Sequence, residues 1–546
     1  MKSAQTLIEE GISALQHRNY YTAFPESPRA YGEGGTEKAQ DDFARLLNQD
    51  FQELKSEGAS AWVGSEVSPY LMTGLGIRYP QFDNEQLIQR ATAAQRTWAK
   101  TTPMQRVEVL TQCLYRIQER FFDLAVSTMH TTGQGYMMAF QASGPHANDR
   151  AMEAMVMGYQ ELTRYAESVD FVKPMGKFDL TLKKTYKPIP RGLGLVIGCS
   201  TFPTWNTVPG LFANLVCGNA SIVKPHPKSI LPIAQVVGEM QKVFEAAGLD
   251  PYTVQLAVDT PEAPVTKGLA EHAAVQLIDY TGSSHFGEYI ESLPGKTVFT
   301  EKAGVNGIVL ESVQNPAAVF GNIAFAASLY SGQMCTAPQN IFVPAQGIAT
   351  AEGHLNFDEV AQGIAEAVKG LAENPKMGPF TLGAIQNEAT AARVQALNEQ
   401  AGVQCPSEVV SNPEFSDART LSPAVVVVEA AETARWKQEC FGPALFVIRC
   451  SDREEALSLA AESARELGAI TSQCYTTDSS FAQQVEETMN AAFTPVSFNF
   501  TGAAFVNQHA AFSDFHVTGG NPSGNATFAD ANYVNRRFVW VGNRYA

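Results

Sequence analysis

Residues 193–223 of this 546-residue chain contain no charged side chain. A run that apolar must cross a membrane or lie inside a core. Pro203, Trp205, Asn206, Pro209, Asn214 and Asn219 interrupt it, so the stretch reads as a buried strand, a loop and a buried helix. From position 193 on, short apolar runs alternate with helical patterns: LGLVIG, a helix near 208–217, ASIVKP, LPIAQVVGEMQKVFEAAG, VQLAV, VQLIDYTG and TVFTEKAG. That rhythm predicts an α/β fold with a parallel sheet covered on both faces, and such sheets take ligands at the carboxyl ends of their strands. After Gly304 the pattern restarts with NGIVLE, a long helix over 320–329 and a strand over 340–343, which predicts a second α/β unit. Ahead of both, residues 83–131 repeat apolar side chains at three- and four-residue spacing, as an amphipathic helical layer does.

Only 17% of residues are charged, against roughly 25% in ordinary soluble domains, so much of the chain must be interior. The net charge of −17 offers no attraction for nucleic acid or an anionic membrane, and neither is expected as a partner. The first residues, MKSAQTLIEEGISALQHRNYY, lack the apolar run and cleavage site of a secretory signal, which points to a cytoplasmic protein. Eight cysteines (Cys113, Cys199, Cys217, Cys335, Cys405, Cys440, Cys450 and Cys474) show no CxxC spacing and no histidines at zinc-ligand intervals. Neither a disulfide framework nor a metal site is expected.

Three segments carry chemistry. Cys335 stands in SGQMCTAPQN among small and polar neighbours, on a turn between a helix and a strand; alone it reads first as a buried structural cysteine, and its company shifts the balance. Glu301 ends the apolar run TVFTE, where surface glutamates seldom sit, and fits a pocket carboxylate acting as general base. Asn206, in FPTWNTVPG, can hydrogen-bond a developing oxyanion. TGSSHFG runs from a strand into a helix and presents Ser283 and backbone N–H groups where a pyrophosphate is favoured, although an ordinary helix cap has the same look.

Taken together and in this order, TWN at Asn206, VKP at Lys224, TGSSHFG at 281–287, TEKAG at Glu301, GQMC at Cys335 and ECFGP at 439–443 resemble the aldehyde dehydrogenase superfamily, from about residue 84 to the C-terminus. The ending FHVTGGNPSGNA and the long N-terminal lead resemble the PaaN-type enzymes of bacterial phenylacetate degradation. The resemblance implies that Cys335 attacks an aldehyde to give a thiohemiacetal held by Asn206, and that Glu301 activates the water that hydrolyses the later thioester. No metal is required. It implies a nicotinamide cofactor bound by Trp205, Lys224, Lys228, Gly282, Ser283, Gly287, Glu439 and Phe441. Pro227 stands where NAD-preferring members usually carry a glutamate, so NADP is favoured over NAD, with Lys224 and Lys228 reaching its 2′-phosphate. Ala303 replaces the usual glycine after the base.

The implied organisation is an N-terminal extension and helical part of the cofactor-binding domain (1–172), an oligomerisation arm (173–191), a cofactor-binding α/β domain (192–303), a catalytic α/β domain (304–510) and a C-terminal loop with an oligomerisation strand (511–546). Exposed strands at TLKKTYKPIP and FVWVG predict a homodimer or a dimer of dimers. The expected substrate is a small-molecule aldehyde, a CoA-linked semialdehyde if the PaaN resemblance extends to it, with Thr207 and Gly210 leaving room for a large acyl chain. A fused hydratase domain is not expected, so ring opening falls to another protein. The alternatives are a CoA-acylating aldehyde dehydrogenase or reductase, which needs no water-activating base, and a non-catalytic protein on the same fold, which would not need both Cys335 and Glu301.

Overall fold

Five apolar runs pair into one parallel sheet in the order Val254–Leu256, Ala220–Lys224, Leu193–Ile197, Val275–Gly282, Thr297–Lys302. The computed structural model describes residues 1–302, 304–502, 504, 511–516 and 530–546. Ala303 and most of the FHVTGGNPSGNA ending lie outside the described residues. All residues of Leu193–Ile197 and Ala220–Lys224 are buried, as strands covered on both faces must be. The chain runs outward from the central strand in one direction and then the other, so a crevice opens between the carboxyl ends of Leu193–Ile197 and Val275–Gly282.

The uncharged stretch resolves into strand Leu193–Ile197, helix Pro203–Val216 and the start of strand Ala220–Lys224. The helix begins earlier than its sequence pattern predicts. Pro203 lies in its first turn, where no N–H partner is needed, and Pro209 is carried inside it. Among the described residues no helix is long and apolar enough to cross a membrane.

The amphipathic pattern over 83–131 forms Asn84–Trp98, Pro103–Gln118 and Phe121–Thr132. Asp83 caps the first through the Gln86 N–H, and Thr102 and Gln105 close a capping box on the second. A further helix, Pro145–Leu162, buries Asp149, Arg150 and Glu153 beneath this layer, charges that a sequence pattern assigns to solvent.

The second unit holds a seven-stranded sheet in the order Val403–Cys405, Ala424–Glu429, Ala444–Cys450, Pro338–Pro344, Asn306–Leu310, Ser472–Tyr475, Val496–Phe498. All of its pairs are parallel except the first. The C-terminal strand Phe538–Tyr545 pairs antiparallel with Asp179–Pro190, which also pairs with Ser168–Pro174. This strand therefore extends a sheet of its own chain, and its outer edge carries no strand among the described residues. Arg537, just before it, is wholly buried and grips Asp279 of the first sheet with two bonds of 2.6 and 2.7 Å.

Candidate active site

The crevice is a cavity of about 650 Å³ walled by both α/β units. Cys199, Thr201 and Phe202 come from the loop after Leu193–Ile197, Thr281 to Ser283 from the end of Val275–Gly282, and Cys335, Glu439 and Phe441 from the second unit.

Cys335 follows a tight loop. Tyr330, Ser331 and Gly332 have φ of +53°, +48° and +61°, a left-handed run that L-residues avoid. Surrounding groups hold it: Tyr330 donates its hydroxyl to the Thr132 carbonyl (2.7 Å), Ser331 to the Leu382 carbonyl (3.0 Å) and Gln333 its amide to the Ala384 carbonyl (3.0 Å). Gly332 cannot be replaced, because a Cβ there would sit 2.5 Å from the Gly442 carbonyl oxygen. Asn306, at the start of its strand, donates to the Cys335 and Ala337 carbonyls (2.8 and 2.9 Å) and accepts from the Ile470 and Thr471 N–H groups. Its four bonds fix the height of the thiol against the sheet.

Glu301 reaches the same point from the last residues of Thr297–Lys302. Its carboxylate accepts from the Asn206 amide (2.9 Å) and lies 3.1 Å from Nε2 of His516. The same Nε2 is 3.8 Å from the Cys335 sulfur. The sulfur, a carboxylate oxygen and the ring nitrogen all lie within 4.8 Å of one another. Cys199 completes the cluster with its thiol 3.6 Å from the Asn206 side-chain oxygen. Burial, the Glu301 carboxylate and the nearby Cys199 hold the Cys335 thiol well above its ordinary pKa. Burial pushes Cys199 up to about 11.

At the far end Lys224 is nearly enclosed and forms a 2.7 Å ion pair with Asp259, itself bonded to the Val265 N–H (3.0 Å). Burial lowers the Lys224 pKa and Asp259 partly restores it. His226 beside it is pulled down to about 4 by burial and by Lys224 and Lys228, so it is neutral near pH 7. Glu439 lines the cavity and keeps access to solvent, while the protein packed around its carboxyl pushes it up to about 7 against the pull of Arg393.

The structure thus brings Cys335, Glu301 and Asn206 into hydrogen-bonding range as one cluster, and places Lys224, Gly282, Ser283, Glu439 and Phe441 on the cavity wall. Three predicted cofactor residues lie elsewhere. Lys228 does not line the cavity. Gly287 is buried within helix Ser284–Glu291 and does not line the cavity; a Cβ there would meet the Lys302 side chain at 2.6 Å. Trp205 stands between Arg150 and the His516 ring, at 4.3 and 5.0 Å, rather than on the cavity wall. Thr207 and Gly210 do not open a channel: a Cβ on Gly198 would touch Thr207, and one on Gly210 would touch Asp279, both at 2.7 Å. Their small size serves close helix-to-sheet packing.

Sequence reasoning missed His516, Asn306 and Asp259. Asn306 alone left a trace, as a polar residue opening the apolar run NGIVLE.

A profile of the aldehyde dehydrogenase family matches residues 78–526. Among solved structures, an NAD-dependent aldehyde dehydrogenase from Burkholderia multivorans is 44% identical, with 99% of this chain and 97% of that one covered at a TM-score of 0.96. The 1-pyrroline-5-carboxylate dehydrogenase of Thermus thermophilus shares the fold at 18% identity, with 96% and 99% covered and a TM-score of 0.75. Among curated proteins, the N-succinylglutamate 5-semialdehyde dehydrogenase of Novosphingobium aromaticivorans is 27% identical over 397 residues, 69% of this chain and 76% of that one. The alpha-ketoglutaric semialdehyde dehydrogenase of Bacillus subtilis is 24% identical over 388 residues, covering 69% and 74%.

Proposed function

The chain belongs to the aldehyde dehydrogenase family, and from that premise we propose that it oxidises an aldehyde to a free carboxylate through a thioester on Cys335. The observation that carries this is the joining of Cys335, Glu301 and Asn206 at one end of a cavity with a cofactor-sized wall. The residues present fit a nicotinamide dinucleotide: Lys224 and Asp259 at one end, the positive end of helix Ser284–Glu291 midway, and Glu439 and Phe441 toward Cys335. When bound, that group supplies a hydride acceptor. Cys335 forms the carbon–sulfur bond, and the carbonyl π pair moves to an oxygen stabilised by the Asn206 amide and the Cys335 N–H. The Asn206 amide carries two protons, so one can hold Glu301 while the other meets the oxyanion. Glu301 then takes a proton from the water that attacks the thioester, and the carboxylate product leaves.

A base so firmly held supports hydrolysis over transfer to coenzyme A. Reduced nicotinamide should appear when the protein meets an aldehyde and cofactor, with no requirement for coenzyme A; a strict requirement would reassign the enzyme to the acylating class.

For the cofactor we infer NAD, the reverse of the expectation from Pro227 alone. Asp259 already neutralises Lys224 at 2.7 Å, and a 2′-phosphate drawn to the lysine would meet that carboxylate as well. Lys228 stands off the cavity wall, and the 44% identical neighbour is named NAD-dependent. For the substrate we propose a semialdehyde, the class for which the two curated relatives cited above are named, and within it the CoA-linked semialdehyde that the PaaN resemblance implies. A panel of CoA-linked, carboxylated and simple aldehydes tests this, and a preference for simple aldehydes would reject it. For assembly we propose a homodimer or dimer of dimers built on the three-stranded sheet, where Val169, Val172, Val539, Val541 and Tyr545 are exposed. A cut after Phe538 retains the Arg537–Asp279 pair and should yield a smaller species by light scattering; an unchanged mass would reject this interface.

A further inference from the structure

The mechanism above leaves one requirement unmet. A thiol buried beside a carboxylate stays protonated near neutral pH, yet the thiolate is the nucleophile. The described residues place one basic nitrogen within reach of that sulfur, Nε2 of His516, at 3.8 Å. It also lies 3.1 Å from Glu301, and both side chains are almost completely buried, at 1 and 2% exposure. The Trp205 ring meets the imidazole edge to face at 5.0 Å and limits its rotation.

We propose that His516 is a catalytic residue that takes the thiol proton of Cys335 as the sulfur attacks and returns it to the sulfur when the thioester is hydrolysed. In the Nδ1-protonated tautomer, Nε2 accepts the proton, so the S–H bond breaks, an N–H bond forms, and a thiolate and an imidazolium replace a thiol and an imidazole. Glu301 stabilises the imidazolium across 3.1 Å without taking its proton. After water adds to the thioester, the carbon–sulfur bond breaks, its electron pair returns to sulfur, and the imidazolium proton follows it. Glu301 remains the acceptor for the water proton.

The N-terminal extension positions His516. Helix Ala4–His17 ends at Arg18, which donates to the Asp514 carbonyl at 2.8 Å and lies over the Phe515 ring at 4.1 Å. Tyr21 meets Phe512 edge to face at 5.1 Å, and Glu153 accepts from the Phe512 N–H at 2.8 Å. The extension thus braces residues 512–515, immediately before the histidine. Among the described residues, the charged and titratable groups around His516 include Cys335, Glu301 and Cys199 from the cavity side, Arg150 behind Trp205, and Glu153, Asp514 and Arg18 from the bracing side.

This inference rests on the proposed aldehyde oxidation, but alkylation of Cys335 needs neither aldehyde nor cofactor, so the two can fail separately. The full-length chain is treated with iodoacetamide from pH 5 to 10, and modification of the Cys335 peptide is followed by mass spectrometry in wild type, His516→Gln and Arg18→Ala. Each pH unit by which thiolate formation moves up changes the neutral-pH rate about tenfold. His516→Gln should therefore react at least about tenfold more slowly at pH 7 and recover only under alkaline conditions. Arg18→Ala, which leaves the cluster intact, should fall between the two. Identical profiles for wild type and His516→Gln would overturn the proposal. Should His516→Gln not fold, His516→Asn takes its place and is read the same way. An Arg18→Ala profile matching wild type would overturn the role given to the extension.

Discussion

The two ends of the cavity are built differently. Around Cys335 the groups are held by hydrogen bonds from many elements: Asn306 below, Tyr330, Ser331 and Gln333 along the loop, Asn206 and His516 on Glu301. Around Lys224 the ion pair to Asp259 balances the lysine's charge on a wall that Lys267 also lines. The first end has one arrangement and many supports, so damage there should change rate. At the second end one contact balances charge, so damage should change preference and leave the rate of chemistry nearly intact.

Cys335→Ala should have the largest effect, a loss of about 10⁴-fold or more in turnover with cofactor affinity retained, since only the covalent step disappears. Isothermal calorimetry beside steady-state kinetics checks both halves. Glu301→Gln should keep a burst of reduced nicotinamide equal to the active sites while steady turnover drops about 10²- to 10⁴-fold, measured by stopped flow. Asn306→Ala should cost about 10- to 100-fold in kcat with the cofactor KM unmoved, because it shifts the cysteine loop and nothing at the far end. A matching rise in cofactor KM would erase the contrast between the two ends.

At the far end, Asp259→Ser should shift kcat/KM toward NADP by about ten- to a hundredfold, the worth of one charge-assisted bond of roughly 1.5–3 kcal/mol, with little change in the rate of chemistry. The smallest effect concerns pH. Glu439 titrates at about 7, so it is neutral below and ionised above, and the ionised carboxylate is the stronger acceptor for ribose hydroxyls. The cofactor KM should therefore fall a few-fold, on the order of threefold, between pH 6 and 8, and this slope should vanish in Glu439→Gln.

How much of this was legible in the sequence follows the same division. The five apolar runs declared the first parallel sheet, because a doubly covered strand has no polar face to disguise it, and the restart after Gly304 declared the second α/β unit. Glu301 was legible because it ends an apolar run, whereas Cys335, among small and polar residues on a turn, and Asn206 stood out only through the order of the blocks around them. Helix Pro145–Leu162 lies beyond the amphipathic pattern over 83–131, and its Asp149, Arg150 and Glu153 are buried although charged. His516 and Asp259 were hidden because their roles arise from contacts between distant parts of the chain: His516 meets Cys335 across 181 positions. Asp259 left no trace beside Pro227 for the same reason, since an ion pair across two strand ends leaves no local pattern.

The most direct test of the central claim is the intact mass of Glu301→Gln after one turnover with an aldehyde and NAD. A thioester on Cys335 predicts stoichiometric addition of the aldehyde less two hydrogens, with the adduct mapping to the peptide that contains Cys335. Cys199 lies close enough to the same cluster to be a fair competitor. Reduced nicotinamide formed without any adduct, or an adduct carried by Cys199, would contradict the account.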